Sequence, residues 1–234
     1  PTILVHGGPM INGSFRGKKI GSGTDIIRLG NDYRIGKISQ KDFVESEAGM
    51  SRSIGHCNTI GTAATMGGLA EALGMSLPGT SAIPAVDSRR LTSSQLSGRR
   101  IVEMVKEGLC VSDIITLEAL ENAIKVNAAV GGSTNAILHL IALAGRLELP
   151  LTVRDVDHLS RGVPLLANLQ PNGEFLMEDF YLAGGMPALM NSMSATLNTD
   201  ALTVSGRSIG HNIQSAEIYN EKVIRPISNP VKYD

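Results

Sequence analysis

Residues 53–90, SIGHCNTIGTAATMGGLAEALGMSLPGTSAIPAVDSRR, set the reading of the chain. A cysteine in a polar, glycine-flanked setting precedes a run of Ala, Gly, Thr and Leu from Asn58 to Leu73, and a Pro/Gly-punctuated loop then ends in Asp87-Ser88-Arg89-Arg90. Such a small-residue helix lets other backbone approach closely, which predicts burial. Cys57, placed just before that helix, is expected to feel its unpaired N–H groups and positive end, which favour a thiolate serving as ligand or nucleophile. The competing reading is a small buried core residue. Pro78-Gly79 and Pro84 enforce the loop. The helix from Asp87 to about Glu107 opens on Arg89 and Arg90, readable as a solvated or ion-paired feature or as a bidentate carboxylate clamp.

Upstream, Thr2 to Val5 is a short apolar run feeding the glycine loop HGGPM, which predicts a buried strand with His6 either facing a ligand or capping backbone. Gly21-Ser22-Gly23-Thr24 lacks the spacing of a phosphate loop and reads as a turn. Thr24-Asp25 begins a short helix to Leu29, and Ser39 with Asp42 caps another from Gln40 to about Gly49. Glu45 and Glu47, about 160° apart on that helix, form no carboxylate pair.

Downstream, Thr116 caps a helix carrying Leu117, Leu120, Ile124 and Ala128. Gly131-Gly132-Ser133-Thr134-Asn135 then opens the apolar helix AILHLIALAG. A glycine pair followed by two hydroxyls and an amide at a helix start can hold an oxyanion, and the apolar helix behind it argues for that over a plain N-cap. Ser133, Thr134 and Asn135 are therefore candidate substrate-binding residues, and His139, one turn on, reads as a core histidine. A short helix begins at Thr152 or Asp155 and runs through Ser160. Val163 to Leu169 predicts a second buried strand, followed by a turn at Gln170-Pro171-Asn172-Gly173. Glu174 to Met193 reads as a helix broken near Gly184-Gly185 and Pro187, with Glu178 and Asp179 on different faces. From Leu197 the chain turns polar, and residues 197–234 are expected to be loosely held. No HExxH or CxxC spacing occurs.

At 234 residues, 42% hydrophobic and 18% charged, the chain can bury a substantial core. A formal charge of −1, no Trp and 3% aromatic residues argue against nucleic-acid binding. Two cysteines in unlike settings build no disulfide framework, which predicts a reducing, cytoplasmic setting, and no apolar run reaches membrane-spanning length. The expected fold class is α/β: a helix-rich layered domain around a short, mostly parallel sheet.

GHCNTIGTAATMGGLAEALGMSLPG, IPAVDSRR, VNAAVGGSTNAILHLIALAG, GEFLMEDFYLAGGMPAL and LNTDALTVSGR, in this order across almost the whole chain, resemble the IlvD/Edd dehydratase family, and the sequence around Cys57 resembles its aldonic-acid branch. The resemblance implies an iron–sulfur hydro-lyase that dehydrates a 2,3-dihydroxy carboxylic acid, such as arabinonate, xylonate, gluconate or dihydroxy-isovalerate, to a 2-oxo acid. It implies Cys57 as one of three cluster ligands, a two-iron in preference to a four-iron cluster, Mg2+ beside it, and a homodimer or homotetramer. It also places the other cluster cysteines, the acidic metal ligands and a carbamylated lysine before this chain, and a base serine and a glutamate ligand after it. Cys110 matches no cluster position. The chain thus reads as an incomplete piece, inactive alone: residues 1–196 belong to the dehydratase N-terminal domain, and 197–234 lead toward a further domain. The reading from a different class is a non-catalytic α/β module that binds an anionic metabolite.

Overall fold

The computed structural model describes residues 1–233. The first elements are a hairpin, β1 (Gly13–Phe15) and β2 (Lys18–Ile20), then α1 (Asp25–Arg34) and α2 (Gln40–Met50). They close over a small core of Ile20, Leu29 and Met50 with Phe15, Ile26, Ile38 and Phe43. The hairpin is antiparallel, with Gly13 opposite Ile20. Helix α2 starts where its capping box predicts: Ser39 Oγ accepts from Asp42 N at 3.1 Å, and Asp42 Oδ2 accepts from Ser39 N at 3.3 Å. Glu45 faces Arg16 at 3.7 Å, and Glu47 is exposed.

The main body holds α3 (Thr62–Ala72), α4 (Ser88–Glu107), α5 (Val111–Ile114), α6 (Leu117–Val130), α7 (Asn135–Arg146), α8 (Val153–Ser160), α9 (Met177–Leu182), α10 (Gly185–Ser192) and α11 (Ile209–Ile213). Helix α6 is central. Leu120, Ala123, Ile124, Val126 and Ala129 are all buried, and it packs against α3, α7 and α8. The slim helix α3 is buried as its composition predicts, and at Gly68 an added Cβ would lie 2.3 Å from Met186 Cε of α10. Asp87 and Thr116 cap α4 and α6 through Arg89 N (2.9 Å) and Ala119 N (3.4 Å).

The structure corrects the expected mostly parallel sheet. Among the described residues the only named sheet is the antiparallel hairpin. Thr2–Val5 joins no ladder, with Leu4 and Val5 exposed and Leu4 N bonded to Met75 O at 2.8 Å. Val163–Leu169 is buried at Leu166, Ala167 and Leu169, yet forms only isolated bridges, to Lys232, Ile224 and Phe175. Of the first run only Ile3 packs against the main core, while the second buries Leu166, Ala167 and Leu169 in it, so neither run needs the other as a strand partner. The molecule is a helix-rich domain with a small sheet.

The stretch from residue 197 is not loosely held. Val204, Val223 and Ile224 are fully buried in the main core, and Val204 N donates to Gly74 O at 2.7 Å. Its polar residues make local bonds, such as Thr203 Oγ1 to Arg207 O at 2.8 Å, and distant ones, such as Asn198 N to Asn122 Oδ1 at 2.7 Å. The break predicted near Gly184-Gly185 is present between α9 and α10.

Within α3, Glu71 is buried and its carboxylate accepts from the backbone N–H groups of Gly79 and Ser81, pinning the Pro78–Ser81 loop. Burial raises its pKa above the usual carboxylate value, partly opposed by those hydrogen bonds. A raised carboxyl contributes stability at acid pH that is lost as pH rises through its folded pKa. Glu71→Ala orphans the buried Ser81 donor and the part-buried Gly79 donor and is expected to cost about 1–3 kcal/mol. Denaturant midpoints should show the gap to the parent protein widest at acid pH and narrower as pH rises.

Candidate functional site

Of the residues singled out by sequence, Ser133, Thr134 and Asn135 gather at the N-terminal ends of α3 and α7. Helix α6 ends at Gly131, left-handed at φ 64°, and the chain turns through Gly132 and Ser133 into α7, capped by Thr134 without a side-chain bond. Ser133 N donates to Thr65 Oγ1 at 3.0 Å, Ser133 Oγ lies 3.0 Å from Thr62 Oγ1, and Asn135 Nδ2 donates to the same Thr62 oxygen at 3.0 Å. Helix α3 starts at Gly61 with no side chain capping it. Its first N–H groups and the positive end of its dipole are therefore open toward an anion.

These groups line a cleft of about 440 Å3 together with Gly23, Thr24 and Ile27, Thr59 to Thr62, Gly131 to Thr134, and Pro171-Asn172. Ser133 and Thr134 line it directly, and Asn135 sits at its rim, exposed and tied back to Thr62. The wall is positioned by buried polar contacts. Asn58, fully buried, accepts from Ser22 N (2.8 Å) and donates to Ile11 O (3.2 Å), while Ile60 N donates to Gln170 O at 2.9 Å. The Gly21–Thr24 segment is thus a turn docked on the stretch after Cys57.

Cys57 differs from its expected place. Helix α3 starts at Thr62, five residues after Cys57, because Asn58 and Ile60 are committed to side-chain and loop contacts instead of helical ones. The helix end therefore does not act on the thiol directly, since that effect is confined to the first turn. The side chain is exposed and is not part of the cleft wall. It is neither a sealed core residue nor pointed into the pocket of the GGSTN turn. Its neighbour His56 places Nδ1 3.0 Å from Cys57 O. Cys110 is also exposed, at the start of α5, with its N–H on Asp113 Oδ2 at 2.7 Å.

Arg90 is buried and donates to the carbonyls of Thr80 (2.9 Å) and Ile83, so it braces the loop before α4. Arg89 pairs with Asp87 at 2.5 Å and stacks over Tyr181. Of the two readings the ion-paired one fits Arg89, whose guanidinium is spent bidentately on Asp87's own carboxylate, and Arg90 is a structural brace. His139 is exposed on the outer face of α7, against the expectation of a core histidine. Glu178 and Asp179 converge where different faces were expected: both reach Asn12, through its backbone N–H at 2.7 Å and its side chain at 3.1 Å. His6 and His56 line a second, mostly apolar cleft of about 490 Å3 between the N-terminal stretch and α3.

No group of three or more His, Cys, Asp or Glu side chains able to hold a metal ion occurs among the described residues. The donor set therefore does not complete an iron–sulfur or Mg2+ site. Cys57, exposed with no hydrogen-bond partner for its sulfur, is suited at most to one corner of one. Sequence reasoning missed Asn58, Thr62 and Thr65. The signal was present as threonines at positions 59, 62 and 65, spaced three apart.

The model of the family described as dihydroxy-acid/6-phosphogluconate dehydratase N-terminal matches residues 1–212. The chain is 51% identical over 228 residues to the L-arabinonate dehydratase of Rhizobium leguminosarum bv. trifolii, which covers 97% of this chain and 39% of that protein. It is 51% identical over 237 residues to the L-arabonate dehydratase of Azospirillum brasilense, with 100% of this chain and 41% of the relative covered. With the dihydroxy-acid dehydratase of Caldicellulosiruptor saccharolyticus it shares 41% identity over 232 residues, 98% of this chain and 42% of that protein. The chain spans about two-fifths of the length of these curated relatives. No helix among the described residues is long and apolar enough to cross a membrane. By the family model over residues 1–212 and these identities, the chain belongs to the dihydroxy-acid/6-phosphogluconate dehydratase family, on the aldonic-acid side of it.

Proposed function

We propose that this chain forms part of a longer hydro-lyase that removes water from a 2,3-dihydroxy carboxylic acid of the sugar-acid class and yields a 2-oxo acid. The C2 proton goes to a base, hydroxide leaves C3, and the resulting enol becomes the ketone. The carrying observation is the junction of Thr62, Ser133 and Asn135 at two helix N-termini, a polar cleft that offers hydroxyl donors and uncapped N–H groups to a carboxylate. In this reading Ser133 and Thr134 contact the acid from the cleft wall, Asn135 from its exposed position beside them, and Gly61–Thr62 through their backbone. Substrate specificity follows the higher identity to the arabinonate dehydratases.

Cys57 is proposed to contribute one ligand to an iron–sulfur cluster, of two irons in preference to four, whose remaining ligands and accompanying Mg2+ are held by residues other than 1–233. When bound, such a centre supplies Lewis acidity toward the substrate's oxygens. We also propose that residues 197–234 lead toward a further domain, that the protein is cytoplasmic, and that it assembles as a homodimer or homotetramer. Exposed Leu91, Val102 and Val105 on α4 are consistent with a covered face.

The test uses the full-length protein reconstituted anaerobically with iron, sulfide and Mg2+ and offered arabinonate, xylonate, gluconate and dihydroxy-isovalerate. A 2-oxo acid is expected from at least one sugar acid, and Cys57→Ser is expected to lose bound iron and activity together. A cluster-loaded protein that converts none of them would overturn the assignment.

A further inference from the structure

The Thr62 hydroxyl has a geometry that the proposed chemistry leaves unused. Its oxygen is 3.0 Å from Asn135 Nδ2 and 3.0 Å from Ser133 Oγ, and Ser133 Oγ in turn lies 3.3 Å from Asn135 N. A hydroxyl offers one donor and two acceptor positions, while an amide nitrogen only donates. Thr62 therefore accepts from Asn135, and Ser133 accepts from the α7 backbone. The Thr62 and Ser133 hydroxyls share one proton between them. Whichever donates it, the receiving oxygen has both acceptor positions filled and keeps its own proton free. The pair thus presents a single O–H donor outward. Asn135, with its NH2 turned to Thr62, presents its carbonyl oxygen outward as an acceptor.

The base of the turn is held by other means. Ser133 N is bonded to Thr65 Oγ1, and Thr65 is buried. Gly132 is wedged so that a Cβ there would lie 2.2 Å from Asn127 Oδ1 and 2.8 Å from Thr65 Cγ2. Loss of the Thr62 hydroxyl therefore releases two side chains and leaves the turn in place.

We infer that Thr62 is a positioning residue of this cleft: its hydroxyl orients Ser133 and Asn135 so that together they offer one donor and one acceptor to adjacent oxygens of a hydroxy acid. A carboxylate oxygen takes the O–H, and a substrate hydroxyl donates to Asn135. This rests on the dehydratase reading for its substrate and on the hydrogen-bond geometry for the role of Thr62.

The experiment compares Thr62→Val and Thr62→Ser in the full-length reconstituted enzyme. Thr62→Val keeps the shape and removes the hydroxyl; it is expected to lower kcat/KM for the sugar acid by about 10–100-fold with little change in melting temperature. Thr62→Ser restores the hydroxyl and is expected to remain within about threefold of the parent, in line with a hydrogen-bonding role. Parent-like kcat/KM in Thr62→Val, or equal losses in both variants, would overturn the inference. Crystal structures of the same variants give a readout that needs no turnover. Ser133 and Asn135 should each hold one side-chain conformation in the parent and Thr62→Ser and lose it in Thr62→Val, and unchanged conformations in Thr62→Val also overturn it. A parent enzyme with no turnover would remove the dehydratase reading while these structures still decide the role of Thr62.

Discussion

Gly8→Ala is expected to destabilise the protein by about 3–5 kcal/mol, a large share of the roughly 5–15 kcal/mol that holds a typical domain. Gly8 sits at φ 88°, and a Cβ there would be 2.4 Å from Ile83 O and 2.9 Å from Ala85 N, both backbone atoms that cannot swing away. The left-handed conformation and the overlap add. The strain would spread, because Gly8 O accepts from His56 N at 3.0 Å and Met10 N donates to His56 O at 2.9 Å, the bridge that sets the stretch leading to Cys57. Gly7 is the internal control: nothing lies within 4 Å of a Cβ built there. Gly7→Ala should stay within about 1 kcal/mol of the parent, as surface substitutions usually do. Urea midpoints of the two variants decide the matter, and equal midpoints would contradict the packing described.

The second large effect is on acid stability. His6 has its pKa pushed down from 6.5 to about 4, first by burial, then by the nearby positive charges of Arg90 and His56. His56 is displaced in the same direction, again mainly by burial. His6 Nε2 is buried without a hydrogen-bond partner, so nothing stabilises a proton there. As pH falls below 6.5 the unfolded chain takes up a proton that the folded chain refuses until about 4. Stability is therefore full above 6.5 and falls across that window, by up to about 3 kcal/mol for this residue alone. His6→Asn, which does not titrate, should lose this part of the acid sensitivity. Measuring unfolding free energy at pH 7.5 and 4.5 in both proteins gives the difference, and parallel pH dependences would show that His6 plays no such part.

Local signals were legible where short-range chemistry sets the outcome. The capping box at Ser39, the caps at Asp87 and Thr116, the burial of α3 and the break before α10 all follow from side chains within a few residues of each other. The sheet was not legible, because Thr2–Val5 and Val163–Leu169 both carry the apolar pattern of strands, yet the first leaves Leu4 and Val5 exposed and the second makes only isolated bridges, a difference that periodicity cannot show. The start of α3 was misplaced for a similar reason: Asn58 looks helical in a small-residue run, yet its amide is spent on Ser22 and Ile11, distant in sequence. At the site, the GGSTN turn was recognisable from composition. Its partners Thr62 and Thr65 were hidden inside a helix whose low side-chain volume drew attention to packing, and Arg90 was ambiguous until its carbonyl partners fixed it as a brace.

The last forty residues carry a consequence for how the polypeptide matures. Residue 204 is hydrogen-bonded to residue 74, and bridges join 167 to 224 and 165 to 232. A ribosome would have to release nearly all of these 233 residues before the interior is sealed, leaving the surface beneath Val223 and Ile224 wet until then. Such distant closures slow folding. Cutting before residue 197 to isolate a smaller unit would leave that surface permanently open, a product prone to clump on synthesis.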